Sequence, residues 1–241
     1  MRSILELPHV GADPLSPFPP VTTALESPNG LLAWGGDLHP DRLLRAYRQG
    51  IFPWYSEGQP VLWWSPAPRC VLYPAKVHLS RRTRRRFNSG DYRLSIDTAF
   101  ETVIAACAES RADENGTWIT RDMETAYVLL HRMGHAHSLE VWKNDCLAGG
   151  IYGLAMGGIF FGESMFSHQT DGSKIALIAL CRLLEEHGFD VLDCQVGNPH
   201  LYSMGAEDVS REAFQTMLGS GLDRKTTTIN WTPGPLAANH W

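Results

Sequence analysis

The segment SLEVWKNDCLAGGIYGLAMGGIFFGESMF, residues 138–166, contains three strand-like runs separated by two turn signals. The runs are residues 138–142, 147–155 and 159–166. Between them stand Asn144-Asp145 and Gly157-Gly158, and such pairs are typical of the tight turns that join antiparallel strands. The segment therefore predicts three consecutive antiparallel strands.

Helix-like and strand-like segments flank these strands on both sides. Before them, residues 92–96 alternate like a strand, Asp97 can cap a following helix, and a second amphipathic helix begins at Thr120. After them, residues 173–187 form an apolar helical pattern, and residues 189–196 are typical of a buried strand. This order predicts an α+β fold with a mixed, largely antiparallel sheet. It is compatible with an acyltransferase fold of the acetyltransferase (GNAT) type.

The first third of the chain has a different composition. A helix that Gly50 can end is followed by residues 51–74, where Trp, Tyr and Pro exclude a long helix and indicate short strands. The pattern changes after Gly90, a last helix capped by Ser210 is predicted, and the tail after Gly221 is expected to be irregular. We therefore expect a small N-terminal domain at residues 1–90 and a larger GNAT-like domain at residues 91–241.

The composition is that of an ordinary globular protein. The chain has 241 residues, 44% of them hydrophobic, and its 26 acidic and 21 basic residues give a formal net charge of -5. These values exclude a disordered chain, a collagen-like chain and a disulfide-rich mini-protein. The mild acidity argues against a nucleic-acid binder held by overall charge, although it leaves room for a local basic patch.

The five cysteines do not have the spacing of a zinc ribbon or a thioredoxin motif. An odd number of cysteines, together with a start that lacks a signal-like apolar core, favours reduced thiols and a cytoplasmic protein. No stretch reaches 18 apolar residues, so we expect no membrane span.

Two apolar strands contain polar side chains. Asp193 and Gln195 alternate within FDVLDCQV, and Glu163 lies between Phe161 and Met165 in the preceding strand. Such groups are costly to bury unless they are paired. Asp193 and Gln195 either satisfy a neighbouring loop or face a substrate amine or hydroxyl, and Glu163 either faces solvent or lies in a cleft. Two separate acidic positions within apolar strands favour a functional site.

Three other groups of residues give weaker evidence for a particular function. The tryptophans, Trp54 and Trp118 among them, can stack on bases, line a pocket or fill the core. His131, His135 and His137 lack a carboxylate or cysteine at a recognised ligand spacing, so we expect no metal. The arginine run that begins at Arg81 is either a solvated helix face or a nucleic-acid contact.

Several motifs between Pro28 and Ala206 resemble one family. They are PNGLLAWGGDL, IFPWYSEGQPVLWWSPAPRCVL, HLSRRTRRRF, GTWIT, GHAHSLEVW, GGIYGLAMGGIFFGESMFS, SKIAL and LDCQVGNPHLYSMGA. The pieces FPW, WWSP, GESMFS and DCQV occur in this order. On these motifs the chain resembles the bacterial leucyl/phenylalanyl-tRNA–protein transferases.

The resemblance implies an activity and its partners. The family moves Leu or Phe, and less readily Met, from its tRNA to the N-terminal Arg or Lys of a protein, which marks that protein for degradation by the N-end rule. It also implies a small N-terminal domain followed by a GNAT-like domain. Because an aminoacyl ester is already activated, we expect no ATP, coenzyme A or metal cofactor. We further expect a monomer.

The resemblance also implies roles for individual residues. Asp193 would attract and orient the acceptor ammonium, Gln195 would hydrogen-bond the amine or relay its proton, and Glu163 would hold the acceptor end. The predicted substrate-binding residues are Trp54, Trp118, Phe161, Met165, Phe166 and Ser167. The predicted tRNA-binding residues are Arg81, Arg82, Arg84, Arg85 and Arg86.

Two alternatives remain at this stage. An acetyl-CoA-dependent N-acetyltransferase on the same fold would need a pyrophosphate-binding turn of the form Q/R-x-x-G-x-G/A, which SHQTDGSK does not contain. A non-catalytic tRNA-binding protein would need the arginine run but not the acidic positions within the strands.

Overall fold

The computed structural model describes residues 7–112, 118–224, 229 and 231–236. Within them the helices are α1 Pro40–Arg48, α2 Arg81–Phe87, α3 Phe100–Ala112, α4 Arg121–Arg132, α5 Gly172–Glu186, α6 Pro199–Ser203 and α7 Arg211–Gly221. The strands are β1 His9–Val10, β2 Leu31–Gly35, β3 Phe52–Pro53, β4 Leu62–Trp64, β5 Arg69–Leu72, β6 Arg93–Ile96, β7 Ala136–Lys143, β8 Cys146–Met156, β9 Ile159–Ser167, β10 Val191–Gln195, β11 Glu207–Val209 and β12 Gly234–Leu236.

The smaller of the two sheets contains β1 to β4, in the order β1-β2-β4-β3. β4 lies antiparallel to both β2 and β3, and β1 lies parallel to β2. Trp63 in β4 is fully buried, and its Nε1 donates to the carbonyl oxygen of Gly35 at 2.9 Å. The segment rich in Trp and Pro therefore forms short strands, as its composition predicts.

The larger sheet has the strand order β11-β5-β10-β9-β8-β7-β6-β12. β9 and β10, which α5 connects, are parallel to each other. The other neighbouring strands are antiparallel. This arrangement confirms the predicted α+β class, the mixed and largely antiparallel sheet, and the three consecutive antiparallel strands.

Helices cover both faces of the larger sheet. α3 and α4 pack on one face over Tyr152 and Phe161, where α1 and the smaller sheet continue the same core. α5 packs on the opposite face over Leu139 and Leu192. Ten of its fifteen residues are buried, and each fully buried Leu or Ile contributes roughly 1.5–3 kcal/mol of apolar transfer free energy.

The boundary between the two sheets differs from the predicted boundary at residue 90. The smaller sheet ends at Trp64, and β5, which begins at Arg69, pairs with β10 and β11 in the larger sheet. α2 also contacts α5 before residue 90 is reached. The sequence could not show this, because the partner strands of β5 lie more than a hundred residues away along the chain.

Three end signals can be compared with the structure. Ser210 caps α7, as predicted, by accepting from the backbone N–H of Ala213 at 3.2 Å. Asp97 does not cap α3, because its carboxylate accepts from the backbone N–H of Ser138 at 2.7 Å and so joins β6 to β7. The predicted irregular tail is wrong for β12, which pairs with β6 at the sheet edge.

Candidate active site

A cavity of about 270 Å³ opens where β9 and β10 separate. The two strands pair only at residues 159–161 and 191–193, and beyond these positions the cavity lies between them. Phe52, Pro53 and Trp54 of the smaller sheet region line it together with both strands. Most lining residues are apolar, but Glu163 and Gln195 are also among them.

Glu163 is buried and receives three hydrogen bonds. Tyr47 Oη donates to its Oε1 at 2.6 Å, Tyr127 Oη donates to Oε2 at 3.0 Å, and Gln195 Nε2 donates to Oε1 at 3.0 Å. The two hydroxyl oxygens also lie in hydrogen-bonding contact with each other. Because each hydroxyl has a single proton, a bond between them forms in place of one of the two bonds to Glu163, or when Glu163 itself is protonated and donates. Because Tyr47 belongs to α1, Tyr127 to α4 and Gln195 to β10, three elements fix the position of one carboxyl group.

Burial raises the pKa of the Glu163 carboxyl to about 7, although the hydrogen bonds from Tyr47, Tyr127 and Gln195 oppose this shift. Burial also raises the pKa values of Tyr47 and Tyr127 well above the ordinary range, so both tyrosines stay neutral donors. Glu163 therefore changes charge near neutral pH, where a carboxyl group can both take and return a proton.

Asp193 has a different environment, although it lies two residues from Gln195. It is fully buried, and Arg69 donates from Nε to its Oδ1 at 2.8 Å and from Nη2 to its Oδ2 at 2.7 Å. Asp193 does not line the cavity. This placement does not support the predicted direct role of Asp193 in attracting an acceptor ammonium, because Arg69 already neutralises its charge.

A β-bulge separates Asp193 from Gln195 and changes the register against β5. Gln195 has a φ of 63°, a left-handed conformation that is uncommon for a residue other than glycine. Its backbone N–H donates to Asp193 Oδ1 at 2.9 Å. The bulge is thus stabilised locally, and it leaves the Gln195 side chain in the cavity wall beside Glu163.

Two tryptophans stand at the cavity, as the resemblance implies. Trp54 is 42% exposed, and its ring packs at 5.4 Å from that of Trp64. Trp118 is partly buried, and both Trp54 and Trp118 line the cavity. Met165 on β9 lines it as well. These three predicted substrate-binding residues are therefore together in space.

The other three predicted substrate-binding residues lie outside the cavity lining. Phe161 is fully buried and packs against Tyr47, with 5.2 Å between their ring centres. Phe166 is buried and contacts His168. Ser167 Oγ accepts from the backbone N–H of Ser173 at 3.2 Å, so it supports the start of α5. Phe161 lies on the same side of β9 as Glu163, since both contact Tyr47, but it stands where β9 is still paired with β10 and the cavity has not yet opened.

The predicted arginine run forms α2. Arg81, Arg82, Arg84 and Arg85 are exposed. Arg86 differs, because its Nη1 donates to Asp171 Oδ2 at 2.6 Å and so joins α2 to the start of α5. Four arginines are therefore available to a polyanion, whereas the fifth has a protein partner.

The histidine group acquires a carboxylate that sequence spacing did not show. Ligand-type atoms of Asp97, His131 and His137 lie within 4.8 Å of one another. However, His137 Nδ1 is 2.7 Å from Asp97 Oδ2, and His131 Nδ1 is 2.8 Å from the carbonyl oxygen of Ala136. Because these atoms are already engaged in hydrogen bonds, the group acts as a buried support between β6, β7 and α4.

Three residues of the site, Arg69, Tyr47 and Tyr127, were not predicted from the sequence. Arg69 stands in the apolar run RCVL, and a charged residue inside a predicted buried strand is a signal that could have been used. Tyr47 and Tyr127 lie on the apolar faces of their helices, where a core position is the ordinary expectation.

In the part of the chain that the structure describes, no helix is both long enough and apolar enough to cross a membrane.

Comparisons with known proteins show the family to which the chain belongs. The family model described as leucyl/phenylalanyl-tRNA protein transferase matches residues 71–219, and the model of its N-terminal domain matches residues 36–67. The chain belongs to this family. It is an aminoacyltransferase that moves an amino acid from aminoacyl-tRNA to the N-terminus of a protein.

Individual relatives carry the same name, leucyl/phenylalanyl-tRNA–protein transferase. The protein of Stutzerimonas stutzeri (strain A1501) is 58% identical over 86% of this chain and 92% of its own length. The protein of Idiomarina loihiensis is 50% identical over 92% of this chain and 94% of its own length. The solved structure titled "The structure of L-PGS from Bacillus licheniformis" has a TM-score of 0.41 at 10% identity, covering 81% of this chain and 74% of that one, a likeness too low to decide anything.

Proposed function

We propose that the chain transfers Leu or Phe, and less readily Met, from its tRNA to the N-terminal Arg or Lys of an acceptor protein. The observation that carries this proposal is the apolar cavity with Glu163 and Gln195 in its wall. An apolar cavity suits the side chain of the donor amino acid, and a carboxyl group with a pKa near 7 suits the handling of an amine.

The donor tRNA enters at the tryptophans. Trp54 and Trp118 offer ring faces on which the 3′-terminal adenine of the tRNA can stack. Stacking there would leave the esterified amino acid to extend into the cavity, where Met165, Leu177 and Leu192 are apolar lining residues. Each methylene group buried in this way contributes about 0.8 kcal/mol to binding.

Glu163 is the proposed proton carrier. The α-amine of a peptide has an ordinary pKa of about 7.7–8.0, so it must lose a proton before it attacks the ester. That first proton passes to solvent. The Glu163 carboxylate, with a pKa of about 7, then accepts a second proton from the nitrogen as the free amine forms its bond to the ester carbonyl carbon. The ester C–O bond then breaks, and Glu163 returns the proton to the departing ribose oxygen.

Gln195 and Asp193 assist at different distances from the reaction. The Gln195 amide lines the cavity and can hydrogen-bond the acceptor amine beside Glu163. Asp193 acts indirectly, because its carboxylate accepts a hydrogen bond from the backbone N–H of Gln195. Both residues therefore take part in the proposed reaction: Gln195 contacts the substrate, and Asp193 supports Gln195.

Further elements of the proposal concern the setting of the reaction. The exposed arginines of α2, which include Arg82, Arg84 and Arg85, would contact tRNA phosphates. The parallel β9–α5–β10 unit supports a GNAT-type catalytic domain. We also propose a cytoplasmic monomer that needs no cofactor and marks its acceptor proteins for N-end-rule degradation.

One assay tests the reaction against its alternatives. The protein is incubated with Leu-tRNA, acetyl-CoA and a peptide that begins with Arg, and the product is identified by mass spectrometry. We expect leucine on the N-terminal amine. A matched peptide with a blocked N-terminus should stay unmodified. Acetylation of the Arg peptide, or tRNA binding without transfer, would contradict the proposal.

A further inference from the structure

Arg69 is a fully buried cation at the junction of three parts of the fold. Its guanidinium lies between the rings of Phe52 and Phe214, at 4.9 and 4.6 Å from their centres. Its Nη1 donates to the carbonyl oxygen of Gly50 at 3.1 Å. Its two hydrogen bonds to Asp193 complete a bidentate pair, which is the geometry that a guanidinium group forms best.

The contacts of Arg69 reach the reacting residues through Asp193. Asp193 Oδ1 accepts from Arg69 Nε and also from the backbone N–H of Gln195. That second bond holds Gln195 in its left-handed conformation, from which its amide reaches Glu163 Oε1 at 3.0 Å. A displacement of the Arg69 guanidinium would therefore displace the Gln195 amide.

The same guanidinium also holds the facing wall of the cavity. Gly50 and Phe52, both in contact with Arg69, immediately precede Pro53 and Trp54 in the chain. Phe52, Pro53 and Trp54 line the same cavity as Gln195 at the end of β10. One side chain thus links the wall that carries Gln195 to the wall that carries Trp54.

We infer that Arg69 is a positioning residue for the transfer reaction, which fixes the Gln195 amide and the Phe52–Trp54 wall relative to each other. This inference rests on the proposed function. Stability alone does not explain such a pair, because a buried ion pair often adds little stability compared with apolar residues of the same volume. The bidentate and stacked geometry also explains why lysine is a poor replacement, since its ammonium is a single point charge.

The test compares Arg69→Lys with Arg42→Lys. Arg42 is an equally buried arginine that donates to Asp37 and to the carbonyl oxygens of residues 11–13, and it does not line the cavity. With Leu-tRNA and an Arg-starting peptide, we expect kcat of Arg69→Lys to fall about 100-fold, because small misplacements have effects of that size. We expect KM to change less than about threefold, and Arg42→Lys to keep kcat within about twofold of the unsubstituted protein.

A second readout does not depend on activity. Hydrogen exchange of the Gln195 backbone N–H should be faster in Arg69→Lys than in the unsubstituted protein and in Arg42→Lys. The exchange rates are measured under conditions where all three proteins are folded. If the unsubstituted protein transfers no leucine, the proposed function fails, and exchange at Gln195 still decides whether Arg69 positions this residue. Unchanged Gln195 exchange, or a folded Arg69→Lys with normal kcat, would overturn the inference.

A neutral pair keeps the test decisive if Arg69→Lys does not fold. Arg69→Met combined with Asp193→Leu removes both charges together and leaves neither one buried alone. We expect this double variant to fold and its Gln195 backbone N–H to exchange faster than in the unsubstituted protein. We expect its kcat to fall to a similar extent as that of Arg69→Lys. Normal turnover by the folded double variant would show that neither the Arg69 guanidinium nor its pair with Asp193 positions the site.

Discussion

Glu163 combines two properties that oppose each other. Burial favours its neutral form, whereas three hydrogen-bond donors, from Tyr47, Tyr127 and Gln195, favour the carboxylate. Burial is the larger effect, and the resulting pKa of about 7 lies well above the ordinary value of 4.5. A buried carboxyl group lowers the free energy of unfolding when it is charged. A role in proton transfer would account for the presence of such a group in the cavity wall.

The raised pKa of Glu163 predicts a pH dependence of stability. Between pH 4.5 and pH 7 the folded protein keeps the Glu163 proton while the unfolded chain loses it, so the stabilising contribution is full below pH 4.5 and is lost as the pH rises through 7. The shift of Glu163 from 4.5 to about 7 corresponds to about 3 kcal/mol. Glu163→Gln should lack this dependence.

Urea denaturation at several pH values measures the effect. Relative to Glu163→Gln, the free energy of unfolding of the unsubstituted protein should fall by about 3 kcal/mol as the pH rises from about 4.5 to above 7. The control is Glu109→Gln, which alters an exposed carboxyl on α3 and should follow the unsubstituted protein. Parallel curves for Glu163→Gln and the unsubstituted protein would rule out a raised pKa at Glu163.

Single residues of the site differ in how far the sequence reveals them. Glu163 and Gln195 could be singled out, because each interrupts an apolar strand and local alternation is enough to notice it. The pairing of Asp193 could not be predicted, since its partner Arg69 is 124 positions away. The bulge that places Gln195 in the cavity wall also depends on pairing with β5, a distant strand.

At the scale of secondary structure, α2 presents its charge unevenly. Arg82, Arg84 and Arg85 are exposed, whereas Arg86 is paired with Asp171 near the start of α5. The Arg86 pair helps to fix α2 on the larger sheet. The exposed arginines therefore lie on a helix that is attached to the start of α5.

Replacing Arg82, Arg84 and Arg85 together by Glu should weaken binding of aminoacyl-tRNA whatever its sequence. The slope of log affinity against log salt concentration should flatten by about one unit for each arginine–phosphate contact that the substitutions remove. The control replaces Arg48, Arg132 and Arg224 by Glu, which changes the net charge equally at exposed positions outside α2. An unchanged slope in the α2 variant, or equal flattening in the control, would mean that α2 is only a solvated face.

The elements that depend on local pattern were the predictable ones. β7, β8 and β9 follow from alternation and turn residues, and α5 follows from its apolar periodicity. β12 could not be predicted, because the tripeptide Gly-Pro-Leu has no strand signal and its order comes from pairing with β6. β5 is indistinguishable from the rest of the Trp- and Pro-rich segment until its pairing with β10 is known.

At the scale of the whole molecule, the cavity is a product of both sheets. Trp54 comes from the region of the smaller sheet, Met165 and Gln195 from β9 and β10, and Leu177 from α5 on the far face. No single element contributes all of these lining residues. The width of the cavity near its polar residues is therefore set by how the two sheets pack together.

This arrangement predicts selection among donor amino acids. An apolar cavity alone discriminates poorly, because one methylene group is worth only about 1–3 kcal/mol. We expect Ile and Val to be rejected, as the resemblance to the family implies, and such rejection requires a narrow part of the cavity near the Cβ atom of the donor, close to Glu163 and Gln195. We therefore expect Leu-tRNA to be used in strong preference to Ile-tRNA when equal amounts compete for one Arg-starting peptide.

A variant in the part of the cavity lined by α5 tests whether donor selection depends on the depth of the cavity or on its width near the ester. Leu177 is buried on α5, on the opposite face of the sheet from the smaller sheet, and Leu177→Ala enlarges that end without touching Glu163 or Gln195. Larger donor side chains such as Phe should gain relative to Leu, while Ile should remain excluded, because branching at Cβ still meets the same wall. Leu and Ile transfer at comparable rates by the unsubstituted protein would show that the cavity selects only for apolar character. Entry of Ile in Leu177→Ala alone would place the selecting contact at the deep end instead of near the ester.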